Sequence, residues 1–340
     1  MLSLTASLRQ TVRMAEDRAR LTLTRTSFGV LTDPFRRDLL LHCYRFVGSV
    51  ADAEDLVQET LAHAWRGRDA YRGEAGLRTW LRRIATRVCL DELRRGRSRR
   101  TLPSDADGSA RDEPRWLEPL PDHVLDDGDV DPAAAFELRE SVSMAFMVAI
   151  HRLPPRQRAV LILRDVLALR AAEVADHLDT TVSSANSLLH RARRTMRARY
   201  APISVPHPAD PAVAEILRRY LAAWEAGDVD ALLATLKADA TLEMPPIPTA
   251  SVGHAAIRAF LGATILDGTR GRWRGMAIGA NGAPAVAMYQ REAGAYRFLG
   301  IHLLAMNAGR VGRVTAYMDE GLAATFHLPR QLLATTESLR

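Results

Sequence analysis

The sequence predicts a multidomain protein in which two all-α domains are followed by an α+β domain with a cone-shaped sheet. Apolar residues recur at helical spacing over 33–100 and again over 133–200. A strand-like alternation of apolar and polar residues begins after residue 270. Segments rich in proline or acidic residues, 102–132 and 201–210, separate the three patterns. A chain of 340 residues is long enough for two or three such domains.

Composition indicates that this fold needs neither a metal nor a disulfide. Cys43 and Cys89 lie inside helical apolar patterns and lack the spacing of zinc ligands. The chain has 46 basic and 40 acidic residues, and nothing in it calls for a cofactor. No apolar run approaches eighteen residues and no signal-peptide core precedes the first domain, so we expect a soluble, cytoplasmic protein without membrane contact.

Residues 1–32 are arginine-rich and lose their apolar period after Val12, which predicts a flexible tail and leaves open whether the chain starts at Met1 or Met14. Asp33-Pro34 predicts the start of a helix that runs to Gly48.

The next segment predicts an amphipathic helix with an acidic start. Leu56, Val57 and Leu61 share its apolar face. Acidic residues gather at its N-terminal end, where the helix dipole favours negative charge.

A loop and a basic helix follow. Gly67 to Gly76 breaks the helical pattern, and its Tyr71 is a candidate for stacking on a single-stranded base, although a surface loop without a special role fits equally well. From Leu77 to Val88 an apolar stripe leaves most arginines on the other faces, where they are able to follow phosphates.

The runs GSVADAEDLVQETLAHAW and RTWLRRIATRVCLDELRR closely resemble region 2 of extracytoplasmic-function (ECF) sigma factors, so 33–101 is interpreted as sigma region 2. The resemblance implies that the acidic helix docks on the clamp coiled coil of RNA polymerase core, and that the loop and basic helix melt and read the minus-ten promoter element. The implied polymerase-binding residues are Asp52, Glu54, Asp55, Leu56, Gln58 and Glu59. The implied minus-ten residues are Arg68, Tyr71, Arg72, Arg78, Trp80, Arg82, Arg83, Arg87, Arg94 and Arg95.

The segment 102–132 is predicted to be an acidic linker. Ten acidic residues oppose Arg111 and Arg115 there, and the apolar period is weak. A solvated tether is the simplest interpretation. Two alternatives are that it shields the neighbouring arginine faces when DNA is absent, or that it threads the RNA channel of the polymerase, as the resemblance implies.

Residues 133–200 predict a helix-turn-helix. A short helix over Ala171–Leu178 and a turn at Asp179-Thr180-Thr181 precede a basic helix over Val182–Arg199. Such a recognition helix enters the major groove with its N-terminus first. The candidate DNA-contacting residues are Ser183, Ser184, Asn186, Ser187, His190, Arg191 and Arg194.

The run LPPRQRAVLILRDV ahead of this motif resembles sigma region 4, which implies reading of the minus-thirty-five element together with contact to the polymerase flap. One departure is Leu169-Arg170-Ala171, which lacks the Ser or Thr that caps the first helix of the motif in the family. Loss of such a cap costs about 1 kcal/mol.

Beyond the linker 201–210, the domain 211–330 predicts three helices and then four strands. The strands are expected over Arg272–Ile278, Ala285–Glu292, Tyr296–Met306 and Val311–Asp319, with tight turns at Asn281-Gly282 and Ala293-Gly294.

The runs AAWEAGDVDALLATLKADATLEMPPIP, GHAAIRAFL and VGRVTAYMD resemble the SnoaL-like branch of the NTF2-like superfamily, as found fused to certain ECF sigma factors. The resemblance implies control of sigma activity in cis. Candidate pocket residues are Trp224, His254, Trp273, Tyr289, His302 and Asp319. The competing interpretation makes His302 an ordinary hydrogen-bonded strand residue and Asp319 a strand-end cap.

The leading hypothesis is a non-enzymatic sigma factor that binds polymerase core and promoter DNA, with its own C-terminal domain as a partner in cis. One alternative is a helix-turn-helix regulator whose C-terminal domain senses a small apolar ligand. Another is that the C-terminal domain is a working isomerase or cyclase.

Overall fold

The computed structural model describes residues 27–73, 75–95, 117–126, 131–200, 210–245, 247, 250–262, 265–266, 270–307 and 309–333. Nearly all of the predicted tail, most of the acidic linker and nearly all of the second linker lie outside them. The chain forms two compact units. The helical unit comprises 1–118, 127–135 and 144–201, and the C-terminal unit comprises 119–126, 136–143 and 202–340.

The described residues of the first half of the helical unit form four helices. They are α1 (Phe28–Thr32), α2 (Arg36–Val47), α3 (Val50–Gly67) and α4 (Leu77–Arg95), and a 3₁₀ turn joins the first two. Helices α2, α3 and α4 pack against one another around buried side chains such as Leu39, Leu61 and Leu81. The predicted tail ends too late, because α1 is helical and buries Leu31.

Residues 131–200 form five helices, the first of which has residues assigned to each of the two units. They are α5 (Pro132–Glu140), α6 (Met144–His151), α7 (Pro155–Leu161), α8 (Ala171–His177) and α9 (Val182–Arg199). The predicted helix-turn-helix is confirmed as α8, a turn and α9. Asp179 in the turn has a φ of +47°, and the Thr181 hydroxyl caps α9 by accepting from the Ser184 N–H at 3.2 Å.

Arg158 of α7 is almost completely buried and joins the two halves of the helical unit. Its guanidinium donates to the carbonyl of Phe46 at the end of α2, and to the carbonyls of Ile150 at 3.1 Å and His151 at 2.8 Å. A buried charge is tolerated where it is fully hydrogen-bonded. This arginine therefore favours the packing of α7 on α2.

The C-terminal unit combines α10 (Pro211–Ala226), α11 (Val229–Thr235), α12 (Gly253–Gly262) and α13 (Leu322–Thr325) with a seven-stranded sheet. Its strands are β1 (Leu236–Glu243), β2 (Ala250–Val252), β3 (Trp273–Ala280), β4 (Ala283–Glu292), β5 (Ala295–Asn307), β6 (Arg310–Tyr317) and β7 (Gln331–Leu333). Their order is β2-β1-β6-β5-β4-β3, and β7 pairs with β5.

The four predicted strands are confirmed as β3 to β6. Both predicted tight turns have the positive φ angles of hairpin turns, +54° and +73° at Asn281-Gly282 and +46° and +85° at Ala293-Gly294. The sequence missed most of β1, because Leu236 and Lys237 continue a helical pattern. Parallel pairing of β1 with β6 overrides that local preference.

The acidic linker is not a solvated tether over residues 117–126. Leu117, Leu120 and Leu125 are buried. Within the helical unit, Tyr44 donates its hydroxyl to the carbonyl of Glu118 at 2.7 Å, and the Glu118 carboxylate accepts from the Val50 N–H at 3.0 Å. The acidic composition concealed these apolar anchors, so the prediction is wrong for 117–126.

Both cysteines are buried and free, as expected of small core residues. Among the described residues, no helix has the length and apolarity that a bilayer span requires. In the same part of the chain, no three His, Cys, Asp or Glu side chains are grouped to hold a metal.

Candidate nucleic-acid interface

Helix α3 presents an acidic face. Ser49 caps its start by accepting from the Asp52 N–H at 3.2 Å. Glu54, Asp55 and Gln58 are exposed, while Asp52 and Glu59 are half-buried. Leu56, however, is only 4% exposed and packs in the core. Its predicted contact with polymerase is corrected to a structural role, because the side chain faces away from the acidic surface.

The loop after α3 packs against aromatic residues of the two flanking helices. The Tyr71 ring lies 4.8 Å from the Trp80 ring, and its hydroxyl donates to the carbonyl of Ala75 at 2.8 Å. Arg68 lies 4.0 Å above the Trp65 ring. These contacts with aromatic rings help to order the Tyr71 and Arg68 side chains.

On α4, Arg82 has a structural partner. Its guanidinium binds the Asp38 carboxylate of α2 in a bidentate pair, with Nε–Oδ2 at 2.7 Å and side-chain exposures of 16% and 28%. Burial raises the pKa of Asp38, but the hydrogen bond and charge of Arg82 more than offset it, so the pKa lies below its usual value. This pair fastens α4 to α2 and engages the guanidinium of Arg82, whose contact with DNA stays a prediction.

Two other α4 arginines bind acids of the helix-turn-helix. Arg83 lies 2.7 Å from Asp176 and 3.5 Å from Asp179, and Arg87 lies 2.8 Å from Asp179. At the end of α4, Arg94 pairs with Asp91 and Arg95 lies 3.9 Å from Glu59. Arg72 and Arg78 are exposed.

The candidate residues of the recognition helix α9 are exposed, in contrast to the ion-paired arginines of α4. All seven candidate residues on it are exposed, as the pattern predicted. A shallow, open depression runs over Val182, Ser183, Asn186, Ser187, His190 and Arg191. The ion pair on this helix joins Arg193, which was not a candidate, to Asp165 at 2.6 Å.

The missing cap of α8 has a substitute. No hydroxyl precedes the helix, but the Glu173 carboxylate accepts from the Arg170 N–H at 2.7 Å and binds its guanidinium at 2.9 Å. A glutamate at the third helical position satisfies half of a capping box. Sequence reasoning missed this role, although the spacing is visible in the sequence.

In the C-terminal unit, three candidate pocket residues come together. The rings of Trp224 and Trp273 are 5.4 Å apart, and the His302 ring is 5.1 Å from Trp224. The hydroxyl of Tyr220, which was not a candidate, lies 3.0 Å from His302 Nδ1. Burial lowers the pKa of His302 to about 4, so the imidazole is neutral at pH 7. These residues pack as part of the apolar core.

The other three candidates lie apart from this group. Tyr289 alternates with the core residue Met288 and so faces the opposite side of β4. Asp319 follows β6 and accepts from the Gly321 N–H at 2.8 Å, as a loop cap does. His254 lies in the first turn of α12.

A buried asparagine at the β3–β4 turn holds two segments that flank residues 127–135. Asn281 is 1% exposed. Its Oδ1 accepts from the Leu120 N–H at 2.8 Å, its Nδ2 donates to the carbonyl of Val142 at 2.6 Å, and its backbone N–H donates to the carbonyl of Leu120 at 2.8 Å. We name this group, Asn281 with Leu120 and Val142, the Asn281 clip.

Asp122 adds to the clip. Its carboxylate accepts from the Gly282 N–H at 2.8 Å, and burial raises its pKa to about 6. The stacked rings of His123 and His327 are 4.5 Å apart. Residues Leu120, Asp122 and His123 therefore all contact the rest of the C-terminal unit.

Comparisons with known proteins agree with this architecture. The chain matches three families: Sigma-70 region 2 over 31–100, Sigma-70 region 4 over 143–196, and the SnoaL-like domain over 217–324. It is 45% identical to the ECF RNA polymerase sigma factor SigG of Mycobacterium tuberculosis over 320 residues, which cover 91% of this chain and 85% of SigG. It is 34% identical to SigJ of the same organism over 268 residues, which cover 78% of this chain and 79% of SigJ. The crystal structure of SigJ matches with a TM-score of 0.56 at 26% identity, over 87% of this chain and 97% of that one.

Proposed function

This chain belongs to the ECF RNA polymerase sigma factors, and on that premise we propose that its two helical domains divide the work of promoter recognition. The acidic face of α3 binds the clamp coiled coil of the polymerase core. The loop and α4 read the minus-ten element, and α9 reads the minus-thirty-five element while its domain touches the flap. Such work is done where polymerase and DNA are, in the cytoplasm.

The observation that supports this proposal is the difference in surface charge between α3 and α9. The exposed charged residues at the start of α3 are acidic, whereas most of the exposed residues of α9 are polar or basic. Acidic side chains repel phosphates, so the face of α3 suits a protein surface. Exposed serines, Asn186 and arginines on α9 are the side chains that read base edges in the major groove.

The docking face is tested by reversing one charge. Asp55→Arg leaves the core of α3 intact, because this side chain is exposed. We expect core binding to weaken by about 2–5 kcal/mol, which is thirtyfold or more, because a complementary charge becomes a repulsive one. Binding of the labelled full chain to purified core measures it. Glu137→Arg, the same reversal at an exposed position of α5, is the matched control. Equal binding by both variants would overturn the docking face.

The proposal for the C-terminal domain is that it controls the connection between region 2 and region 4. The Asn281 clip supports it, because the clip holds 119–126 and 136–143, the described segments on either side of 127–135. A sigma factor must place its two DNA-reading domains on separate elements. A C-terminal domain that binds the segments between region 2 and region 4 is therefore able to restrain or tune that placement.

Asn281→Ala tests this control. It removes both side-chain bonds and leaves two buried polar groups without partners, at a cost of about 1–3 kcal/mol each. We expect altered transcription with unchanged core binding. Asn307→Ala, at the exposed end of β5, is the control. Transcription by the Asn281 variant equal to that of the control would show that the clip has no regulatory role.

A further inference from the structure

Two aspartates of the helix-turn-helix form ion pairs with two arginines of α4. Arg83 Nη1 lies 2.7 Å from Asp176 Oδ2, and Arg87 Nη2 lies 2.8 Å from both carboxylate oxygens of Asp179. Arg83 Nη2 also reaches Asp179 at 3.5 Å. Carboxylate and phosphate oxygens bind a guanidinium through the same N–H groups. While these contacts persist, Arg83 and Arg87 are engaged by protein instead of DNA.

This arrangement is not the one in which both promoter elements are read. The minus-ten and minus-thirty-five elements are nominally 25 base pairs apart, which is ~85 Å of duplex at about 3.4 Å per base pair. Here the basic helix of region 2 touches the helix-turn-helix of region 4 through ion pairs of 2.7 and 2.8 Å. The two domains must separate before each occupies its own element.

We infer that Asp176 and Asp179 act as an internal substitute for DNA phosphate, forming an acid clamp that holds Arg83 and Arg87 until polymerase and promoter take them over. This inference rests on the proposed function and names a means of its regulation. It assigns the two acids a role outside the reading of bases.

The local geometry suits a reversible clamp. All three pairs are partly exposed, with side-chain exposures of 61% at Asp176, 64% at Asp179, 32% at Arg83 and 47% at Arg87. Exposed ion pairs are individually weak and are screened by salt. Their loss is therefore easily offset by phosphate contacts on DNA.

The backbone conformation of Asp179 determines which substitution removes its charge without disturbing the turn. It sits in the turn with a φ of +47°, and its N–H lies 3.4 Å from the carbonyl of Asp176. Asp176 lies in the last turn of α8, three residues before Asp179, so both acids lie at the same end of this helix. Aspartate and asparagine tolerate this conformation better than most residues, so Asp179→Asn removes the charge and keeps the turn.

The test is binding of the free, full-length chain to a labelled 30-base-pair duplex of random sequence, without polymerase. In Asp176→Asn/Asp179→Asn, Arg83 and Arg87 are released to bind phosphates. We expect duplex affinity to rise about tenfold at low salt, and the slope of log K against log salt to steepen by about 1.8, because each added phosphate contact contributes about 0.9.

The matched control makes the same charge change in the C-terminal unit. Glu215→Gln/Asp230→Asn also removes two exposed acids that pair with arginines, Arg218 and Arg258. We expect it to leave the affinity and the salt slope near those of the natural chain. Equal gains in both double variants would mean that net charge alone is responsible, which would overturn the acid clamp.

A second comparison assigns the gain to the α4 arginines. Adding Arg83→Gln/Arg87→Gln to the first double variant is expected to remove the extra affinity and the extra slope. If the gain persists, the released charge lies elsewhere and the inference is wrong. Circular dichroism of each variant confirms folding, and the single variant Asp179→Asn serves if the double variant unfolds.

Polymerase core separates this inference from the proposed function. With core bound, the natural chain and the Asp176→Asn/Asp179→Asn variant are expected to bind promoter DNA equally, because core has already opened the clamp. A chain that fails to bind core, yet shows the gain in free duplex binding, would refute the proposed function and leave the acid clamp standing.

Discussion

Helices α4 and α9 are both rich in arginine, yet the structure uses these arginines in different ways. On α4, Arg82, Arg83 and Arg87 form ion pairs with acids on other helices. On α9, Arg191 and Arg194 are exposed, and the structure pairs neither with an acid among the described residues. Composition alone therefore does not say which basic helix is ready for DNA. In the structure the candidate residues of α9 are exposed, whereas three arginines of α4 are engaged by acids, and the acid clamp would have to open before Arg83 and Arg87 bind DNA.

The largest expected effect concerns the structural arginine of α4. Arg82→Ala leaves the mostly buried Asp38 carboxylate without its partner, and breaking such a pair costs about 3 kcal/mol. Urea unfolding followed by circular dichroism measures the loss. Arg193→Ala on α9, which breaks the more exposed pair with Asp165, is expected to cost less than about 1 kcal/mol. Equal losses of stability would show that the Arg82–Asp38 pair contributes no more to folding than the exposed Arg193–Asp165 pair.

The pH dependence of stability provides a second comparison, between a buried histidine packed against α4 and an exposed histidine of α9. His42 is buried beneath α4, and its Nε2 lies 3.0 Å from Thr86 Oγ1. Burial, with the charge of Arg82 adding to it, lowers the pKa of His42 to about 3. The unfolded chain therefore binds this proton first, and stability falls as pH drops below about 6.5, by about 2 kcal/mol at pH 5.

Urea midpoints between pH 7 and pH 5 test this expectation. In His42→Gln, the pH dependence should be reduced by that amount, because the titrating group is gone. His190→Gln, at an exposed position of α9, should retain the dependence of the natural chain. A similar pH profile for all three proteins would contradict the assignment.

Base recognition by α9 is the next effect in size. Arg191→Ala or Arg194→Ala is expected to cost about 1–3 kcal/mol in binding the minus-thirty-five element, if the arginine makes a bidentate contact to a base. A pure phosphate contact would instead weaken all sequences alike and reduce the salt slope by about 0.9. Titrations with the element and with a scrambled duplex distinguish these results. An unchanged affinity for both duplexes would remove that arginine from the interface.

The smallest effect concerns the cap of α8. Glu173→Ala removes the acceptor of the Arg170 N–H and should cost about 1 kcal/mol of stability. Glu173→Gln, which keeps an acceptor oxygen, should cost less. Chemical denaturation compares the two variants. A loss as large for glutamine as for alanine would mean that the charge, and not the hydrogen bond, stabilises the helix.

Local patterns predicted what local forces decide. The helices of both sigma domains, the turn before α9 and the Asn281-Gly282 hairpin follow from apolar spacing, caps and turn residues. The exposed face of α9 followed from the same helical period.

Long-range pairing was beyond the sequence. Arg83 and Asp176 are 93 residues apart, and Asn281 and Leu120 are 161 residues apart. No periodicity links such partners, because the contacts depend on tertiary packing. The same limit hid the parallel pairing of β1 with β6 and the burial of Leu56 beneath an acidic face.

The most direct measurement of the account is run-off transcription by purified core and the full-length chain, on promoters selected from a random pool. We expect initiation at a discrete start site that is lost when either the minus-ten or the minus-thirty-five element is scrambled. We also expect loss of initiation by Asp55→Arg. Duplex binding that persists without any initiation would contradict this expectation and would favour a helix-turn-helix regulator that acts without polymerase.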